Sequence, residues 1–219
     1  MNYKNILDKI ESTLNGEAHL DELASKKQDP FKILISTILS ARTRDSNTRI
    51  ATERLFARFN TPELIVKATI DDLEELIKVS GFYRIKAARI KEVSKKLIES
   101  YDGKVPSNFN DLIDLPGVGA KTANCVLVYA YNIPAIPVDT HVHRISNRLG
   151  WVKTKNPEET EKVLRNRIPK SLWLRINRLF VRFGQQTCLP NNPKCQICPL
   201  NEICPKDFSM ENAIKKKKS

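Results

Sequence analysis

The sequence of 219 residues predicts an all-α fold of about ten helices. Three observations carry that prediction. Apolar residues recur at helical spacing along most of the chain, alternating strand patterns are essentially absent, and the start signals are those of helices. Asp29-Pro30 ahead of Phe31, Ile33, Leu34, Ile35, Ile38 and Leu39 supplies an N-cap, a proline at the first helical position and a strongly apolar helix. Thr61-Pro62-Glu63 and Asn156-Pro157-Glu158-Glu159 repeat that signal, with acids placed to suit the helix dipole. Ile85, Ala88, Ile90, Val93, Leu97 and Ile98 mark a long amphipathic helix that stops at Tyr101-Asp102-Gly103. Of the seven glycines, Gly81, Gly103, Gly150 and Gly184 fall where helical patterns end and are expected as left-handed residues just past a helix. No repeat of solenoid period is visible, and Pro134 to Pro137 is the best break in mid-chain.

Composition narrows the class of function. The net charge is +12, and only four of the positives are the tail Lys215 to Lys218, so most of the excess belongs to the body. A basic body attracts polyanions, of which nucleic acid is the commonest inside cells. No apolar run is long enough to span a membrane. The first residues lack the pattern of a secretory signal. The expectation is an intracellular monomer, in the cytoplasm or nucleoid of a prokaryote, with no membrane association.

The most informative local segment is Leu115-Pro116-Gly117-Val118-Gly119-Ala120-Lys121-Thr122-Ala123. A short helical pattern from near Ser107 precedes it and an apolar helix over 123–131 follows. Gly117 and Gly119 permit a tight turn that leaves backbone N–H groups bare at the next helix start. Such a turn forms an anion site that a DNA phosphate fits. A helix-turn-helix corner without a ligand is the plainer alternative. Lys121, about one turn into the second helix, reads either as a phosphate contact or as a nucleophile, and spacing does not separate the two. The helix N-terminus and burial would both favour its neutral, reactive amine.

Near the C-terminus, Cys188, Cys195, Cys198 and Cys204 are interleaved with Pro190, Pro193, Pro199 and Pro205, which makes the segment a loop. Four thiolates on a compact loop hold either a zinc ion or a [4Fe–4S] cluster, and the donors alone do not decide. Cys125 reads as a small core residue.

These motifs carry a family resemblance. The Leu115 to Ala123 segment resembles the helix-hairpin-helix of the DNA glycosylase superfamily. Val138-Asp139-Thr140-His141 follows at the expected distance, and the four-cysteine spacing is similar to the cluster loop of the endonuclease III family. The likeness runs from about Asp29 to Cys204. It implies a two-lobed fold with a C-terminal iron–sulfur loop: a helical lobe over 22–133 containing the hairpin, a cluster lobe over 1–21 and 134–205, and a Lys-rich tail over 206–219. It implies a bifunctional enzyme that excises oxidised or ring-saturated pyrimidines from double-stranded DNA and cuts abasic sites by β-elimination. In that reading Lys121 forms the Schiff base and Asp139, also a good N-cap in any protein, supports departure of the base. The cofactor is a [4Fe–4S] cluster on the four cysteines.

Leu115, Gly117, Val118 and Gly119 would hold the DNA backbone, with His141 and Lys194 as further candidate contacts. Chemistry on a base requires flipping it out of the duplex. By resemblance, the loops at Ala41-Arg42-Thr43-Arg44 and Gly81-Phe82-Tyr83 fill the gap, Phe82 as the inserting apolar residue. Arg42 stands where the family commonly has Gln, which bears on how the opposite base is contacted. Phe82 is also compatible with a core position at a helix junction. Three rivals remain: a monofunctional adenine or mismatch glycosylase, which typically lacks the lysine; an 8-oxoguanine lyase, which normally lacks the cysteine loop; and a non-catalytic, zinc-stapled DNA-binding module.

Overall fold

The structure is a computed structural model, described here for residues 2–209. Twelve α-helices and two short 3-10 turns account for its regular elements, and no strand occurs among the described residues. The chain divides into two compact units, one running from Ala18 to Ile133 and the other joining the residues before Ala18 to those from Pro134 onward.

The 18–133 unit contains α2 (His19–Ser25), α3 (Pro30–Ser40), α4 (Asp45–Arg58), α5 (Pro62–Lys67), α6 (Ile70–Ile77), α7 (Tyr83–Tyr101), α8 (Phe109–Asp114) and α9 (Ala120–Tyr131). Helix α3 is its centre. Every residue from Phe31 to Leu39 except Lys32 is buried, and the helix packs against α4, α7 and α9. A helix buried on almost every side belongs inside a domain, and its buried Ser36 and Thr37 hydroxyls donate to carbonyls one turn back, Lys32 O at 2.6 Å and Ile33 O at 2.8 Å. The start signals read from sequence are realised. Asp29 Oδ1 accepts from the Phe31 N–H at 2.6 Å, and Thr61 Oγ1 accepts from that of Leu64 at 3.3 Å. The unit begins at Ala18 because α2 packs on α3, α4 and α9.

The other unit contains α1 (Tyr3–Glu11), α10 (Thr140–Arg148), α11 (Pro157–Arg167) and α12 (Trp173–Gln186), with 3-10 turns at Lys170–Leu172 and Cys195–Ile197. Its core gathers Leu7, Ile10, Val142, Ile145, Trp151, Ile176, Phe180 and Phe183. Trp151 takes Tyr3 edge-on at 5.0 Å between ring centroids and lies 5.2 Å from Phe180. Asn156 caps α11 through the Glu159 N–H at 2.8 Å, and the Glu159 carboxylate returns to the Lys155 N–H at 3.0 Å.

Several local expectations need correction. Gly103 and Gly150 are left-handed, with φ of 72° and 67°, but Gly81 is not, and Gly184 lies inside α12. There it lets α10 come close: a Cβ on Gly184 would overlap the His141 ring. The buried stripe of α7 is Lys86, Ala87, Ile90, Val93, Ser94 and Leu97, whereas Ile85, Ala88 and Ile98 face solvent. Hydrophobicity placed the first position of the packed face one residue too early, at Ile85, because the buried Lys86 occupies it. Helix α9 starts three residues before its apolar run, at Ala120. The tail does not leave the body at residue 206. Asp207 donates its N–H to the Arg148 carbonyl at 3.2 Å, and the Phe208 ring lies 4.8 Å from the Arg148 guanidinium. Lys215 to Lys218 lie outside the described residues.

Candidate functional site

The hairpin between α8 and α9 is built by its backbone. The Leu115 N–H donates to Leu112 O at 3.3 Å and the Val118 N–H to Leu115 O at 3.0 Å. Both side chains are buried. Leu115 and Val118 therefore hold the turn together, with their amides turned to hairpin carbonyls. Gly117 has φ of 69°, a left-handed conformation that L side chains rarely adopt, and a Cβ there would run into the Arg89 side chain. Gly119 differs. Its φ is −92°, and a Cβ would meet nothing within 4 Å. It is the N-cap of α9 and supplies no side-chain cap. The first N–H groups of any α-helix have no partner within it, so this cap leaves them bare toward solvent. That is the geometry of an anion site. Lys121 is the second residue of α9 and partly exposed, inside the first turn rather than a turn beyond it.

Asp139 is the N-cap of α10. Its Oδ1 alone accepts both cap bonds, from His141 N–H at 2.9 Å and Val142 N–H at 2.8 Å. Oδ2 takes part in neither. His141 and His143 point apart: the His141 ring meets Arg144 Nη2 at 3.1 Å, while the His143 ring reaches Thr160 Oγ1 at 2.7 Å.

The four loop cysteines line one pocket, whose wall includes Ile145, Arg148, Leu149, Phe183 and Leu200. All four are free thiols and partly exposed. Burial pushes the Cys198 and Cys204 thiols above their usual range, and the neighbouring cysteines add to that. Arg148 Nη1 donates to Cys188 Sγ at 3.3 Å, and the Leu200 N–H donates to Cys198 Sγ at 3.4 Å. Among the described residues, no group of three or more His, Cys, Asp or Glu is placed to hold a single metal ion. Lys194 is exposed at the rim of this pocket, its backbone N–H donating to Thr187 O at 2.9 Å.

In the 18–133 unit, Arg42 and Phe82 come together. The Arg42 guanidinium lies 5.4 Å from the centre of the Phe82 ring, and both residues are left-handed, with φ of 50° and 58°. Phe82 is 57% exposed, so it is no core residue.

Comparison with known proteins gives this geometry a context. The HhH-GPD family, described as superfamily base excision DNA repair protein, matches residues 35–170. Endonuclease III of Thermotoga maritima is 54% identical over 82% of this chain and 84% of its own. The chain belongs to the endonuclease III family. Plant and mammalian endonuclease III homologues are 44% identical, and the chain spans 54% to 65% of their length. A solved structure of a trapped endonuclease III–DNA covalent intermediate superposes with a TM-score of 0.82 at 34% identity, covering 96% of each chain. A thermostable thymine-DNA glycosylase follows at 0.79 and 26%, over 93% of each chain.

Two residues of this endonuclease III family chain escaped sequence reasoning. Arg148 is buried in the second unit and binds the cysteine loop at three points: Cys188 Sγ, Leu189 O at 2.7 Å and Pro190 O at 3.0 Å. Its signal was present, since Arg144 and Arg148 stand four apart on one helix face, and Arg144 Nη2 likewise reaches Cys188 O at 2.9 Å. Lys86 is 6% exposed, and burial pulls its amine down to about 8. Nothing in its immediate sequence distinguishes it from a surface lysine.

Proposed function

We propose that this base excision DNA repair protein releases oxidised or ring-saturated pyrimidines from duplex DNA and cuts abasic sites by β-elimination, with Lys121 as nucleophile. The observation that carries the reading is one turn of helix. The uncapped start of α9, formed by Gly117 and Gly119, presents bare N–H groups for a DNA phosphate, and Lys121 stands within that turn. Backbone anchoring and the reacting amine then share one rigid element, so binding the phosphate also places the sugar. The trapped covalent complex of a relative supports chemistry of this type.

In the proposed course, the Lys121 amine nitrogen forms a bond to C1′ as the base departs with the electron pair of the glycosidic bond. Loss of a proton from nitrogen and opening of the sugar give an imine. The imine acidifies C2′–H. Removal of that proton drives the electrons toward C3′, and the 3′ phosphate leaves. Asp139 holds α10 with Oδ1 and has Oδ2 for stabilising positive charge on the sugar or moving protons. Arg42 and Phe82 are the proposed contacts in the opened duplex. Gly117 and Gly119, with Leu115 and Val118 shaping the turn, are the proposed backbone anchor. His141 and Lys194 are proposed as further phosphate contacts. The proposed setting is intracellular.

Cys188, Cys195, Cys198 and Cys204 are the proposed holders of a [4Fe–4S] cluster. The residues fit such a group: four thiols line one largely apolar pocket, and N–H groups of Arg148 and Leu200 already donate to two of the sulfurs, as ligand sulfurs in clusters favour. When bound, the cluster supplies a cross-link that fixes this loop. The chemistry at Lys121 does not pass through it.

The test is borohydride trapping on a duplex with one abasic site. The wild-type protein is expected to give a covalent adduct and Lys121→Gln none. A folded, iron-bearing protein that forms no adduct yet releases bases would be a monofunctional glycosylase. A zinc-bearing protein with neither activity would be a binding module.

A further inference from the structure

Lys86 lies where a charged side chain needs a reason. Burying an ammonium without partners is costly, yet this one is surrounded by oxygen. Its Nζ lies 2.6 Å from Leu39 O, 2.7 Å from Ala41 O, 2.8 Å from Thr43 Oγ1 and 2.8 Å from Ser80 Oγ. An ammonium has three N–H groups, so these four acceptors share them. The acceptors belong to two segments far apart in sequence. Leu39, Ala41 and Thr43 are the end of α3 and the turn into α4, while Ser80 stands between α6 and α7.

Further bonds join the same two segments. Thr43 Oγ1 meets Ser80 Oγ at 3.2 Å and accepts the Gly81 N–H at 3.1 Å. Ser80 Oγ also donates to Leu39 O at 3.1 Å. Gly81 is required for this approach, because a Cβ would come within 2.7 Å of Arg42 O. Directly beyond the clamp, Arg42 and Phe82 both adopt left-handed backbone. For residues other than glycine that conformation costs energy and persists only where surrounding bonds hold it.

We propose that Lys86 is a positioning residue that ties the Arg42 and Phe82 loops into one rigid wedge for the opened duplex. The proposal rests on Arg42 and Phe82 being DNA contacts. Without the ammonium, Leu39 O and Ala41 O each lose a charged donor and keep only a hydroxyl, from Ser80 and Thr43 respectively, and the two left-handed residues relax independently. The wedge then arrives at the helix as two mobile side chains rather than a stacked pair, which weakens insertion while leaving the hairpin and Lys121 in place.

The test uses the full-length protein and a duplex holding a tetrahydrofuran abasic analogue opposite 2-aminopurine, whose fluorescence reports stacking at the gap. Lys86→Met retains length and apolar bulk but no donors. With helix content like wild type, it is expected to lose the fluorescence change, as is Phe82→Ala. On a cleavable abasic duplex it should raise KM about tenfold with little change in kcat, and its cutting of single-stranded abasic DNA should stay close to wild type. The double variant Lys86→Met/Phe82→Ala should fall no further than Phe82→Ala. A full fluorescence change in Lys86→Met, equal losses on single strand and duplex, or multiplying effects in the double variant would each overturn the proposal. If Phe82→Ala and Arg42→Ala change nothing while Lys86→Met does, the assignment of the two loops to DNA has failed as well, and the proposal with it. Should Lys86→Met not fold, Thr43→Val removes one acceptor and the Gly81 bond, and is expected to give a partial loss of the same signal. Wild-type behaviour of that variant overturns the clamp.

Discussion

Asp139 combines a structural bond and a proposed chemical role in one carboxylate, and the two can be separated at the level of single atoms. Asparagine caps a helix about as well as aspartate, whereas alanine costs about 1 kcal/mol. Asp139→Asn is therefore expected to melt close to wild type while base release falls by about a hundredfold or more. Asp139→Ala should show the same catalytic loss together with lower stability. Thermal melts and single-turnover base release check the pair, and an Asp139→Asn protein of full activity would leave the residue as a cap only. The same residue-level reasoning distinguishes the two hairpin glycines. Gly117 is held to glycine by its φ of 69°, while Gly119 is valued for what it leaves uncovered.

At the scale of elements, α2 brings a histidine into the packed interior. His19 is 2% exposed, with Nε2 3.4 Å from Thr52 Oγ1 of α4. Burial lowers its pKa to about 4. Asp45 and Glu53 of α4 act against that, while Arg49 of α4 and Lys32 of α3 act with it. The neutral ring is the form that fits the folded state. The unfolded chain binds a proton near 6.5 and the folded chain only near 4, so this stabilisation is complete above about pH 6.5 and is lost as pH falls toward 4. The difference corresponds to about 3 kcal/mol. Melting temperature is expected to drop between pH 6.5 and 4 in the wild type, and more shallowly in His19→Gln. Parallel pH curves for the two proteins would remove His19 as the cause.

For the whole molecule, the division into two units makes the effect of the cysteine loop local. The pocket walls come from α10, α12 and the loop itself, all within one unit. Removing the proposed cluster, or replacing Cys204 with serine, is expected to speed amide hydrogen exchange in α10, α12 and the loop. Amides of α3 and α9 should keep their protection, because their core lies in the 18–133 unit. Hydrogen exchange with and without bound iron reads this directly. Uniform loss of protection over both units would show that the loop supports more than its own half.

The sequence by itself determined the helix starts, the hairpin and the cysteine loop. Asp29, Thr61 and Asn156 cap as their neighbours dictate, since a cap bond spans two or three residues. The turn at Gly117 is likewise a matter of local φ, and the spacing of Cys188, Cys195, Cys198 and Cys204 brought four thiols to one pocket. Tertiary structure alone decided which face of α7 is packed, why Gly184 is needed and where Arg42 meets Phe82. Ile85 is the more hydrophobic residue, yet Lys86 is the buried one, because carbonyls from α3 and its following turn converge on its ammonium. Gly184 reads as a helix end until α10 is seen against it. Such choices depend on partners forty or more positions away in the chain, which local periodicity does not encode.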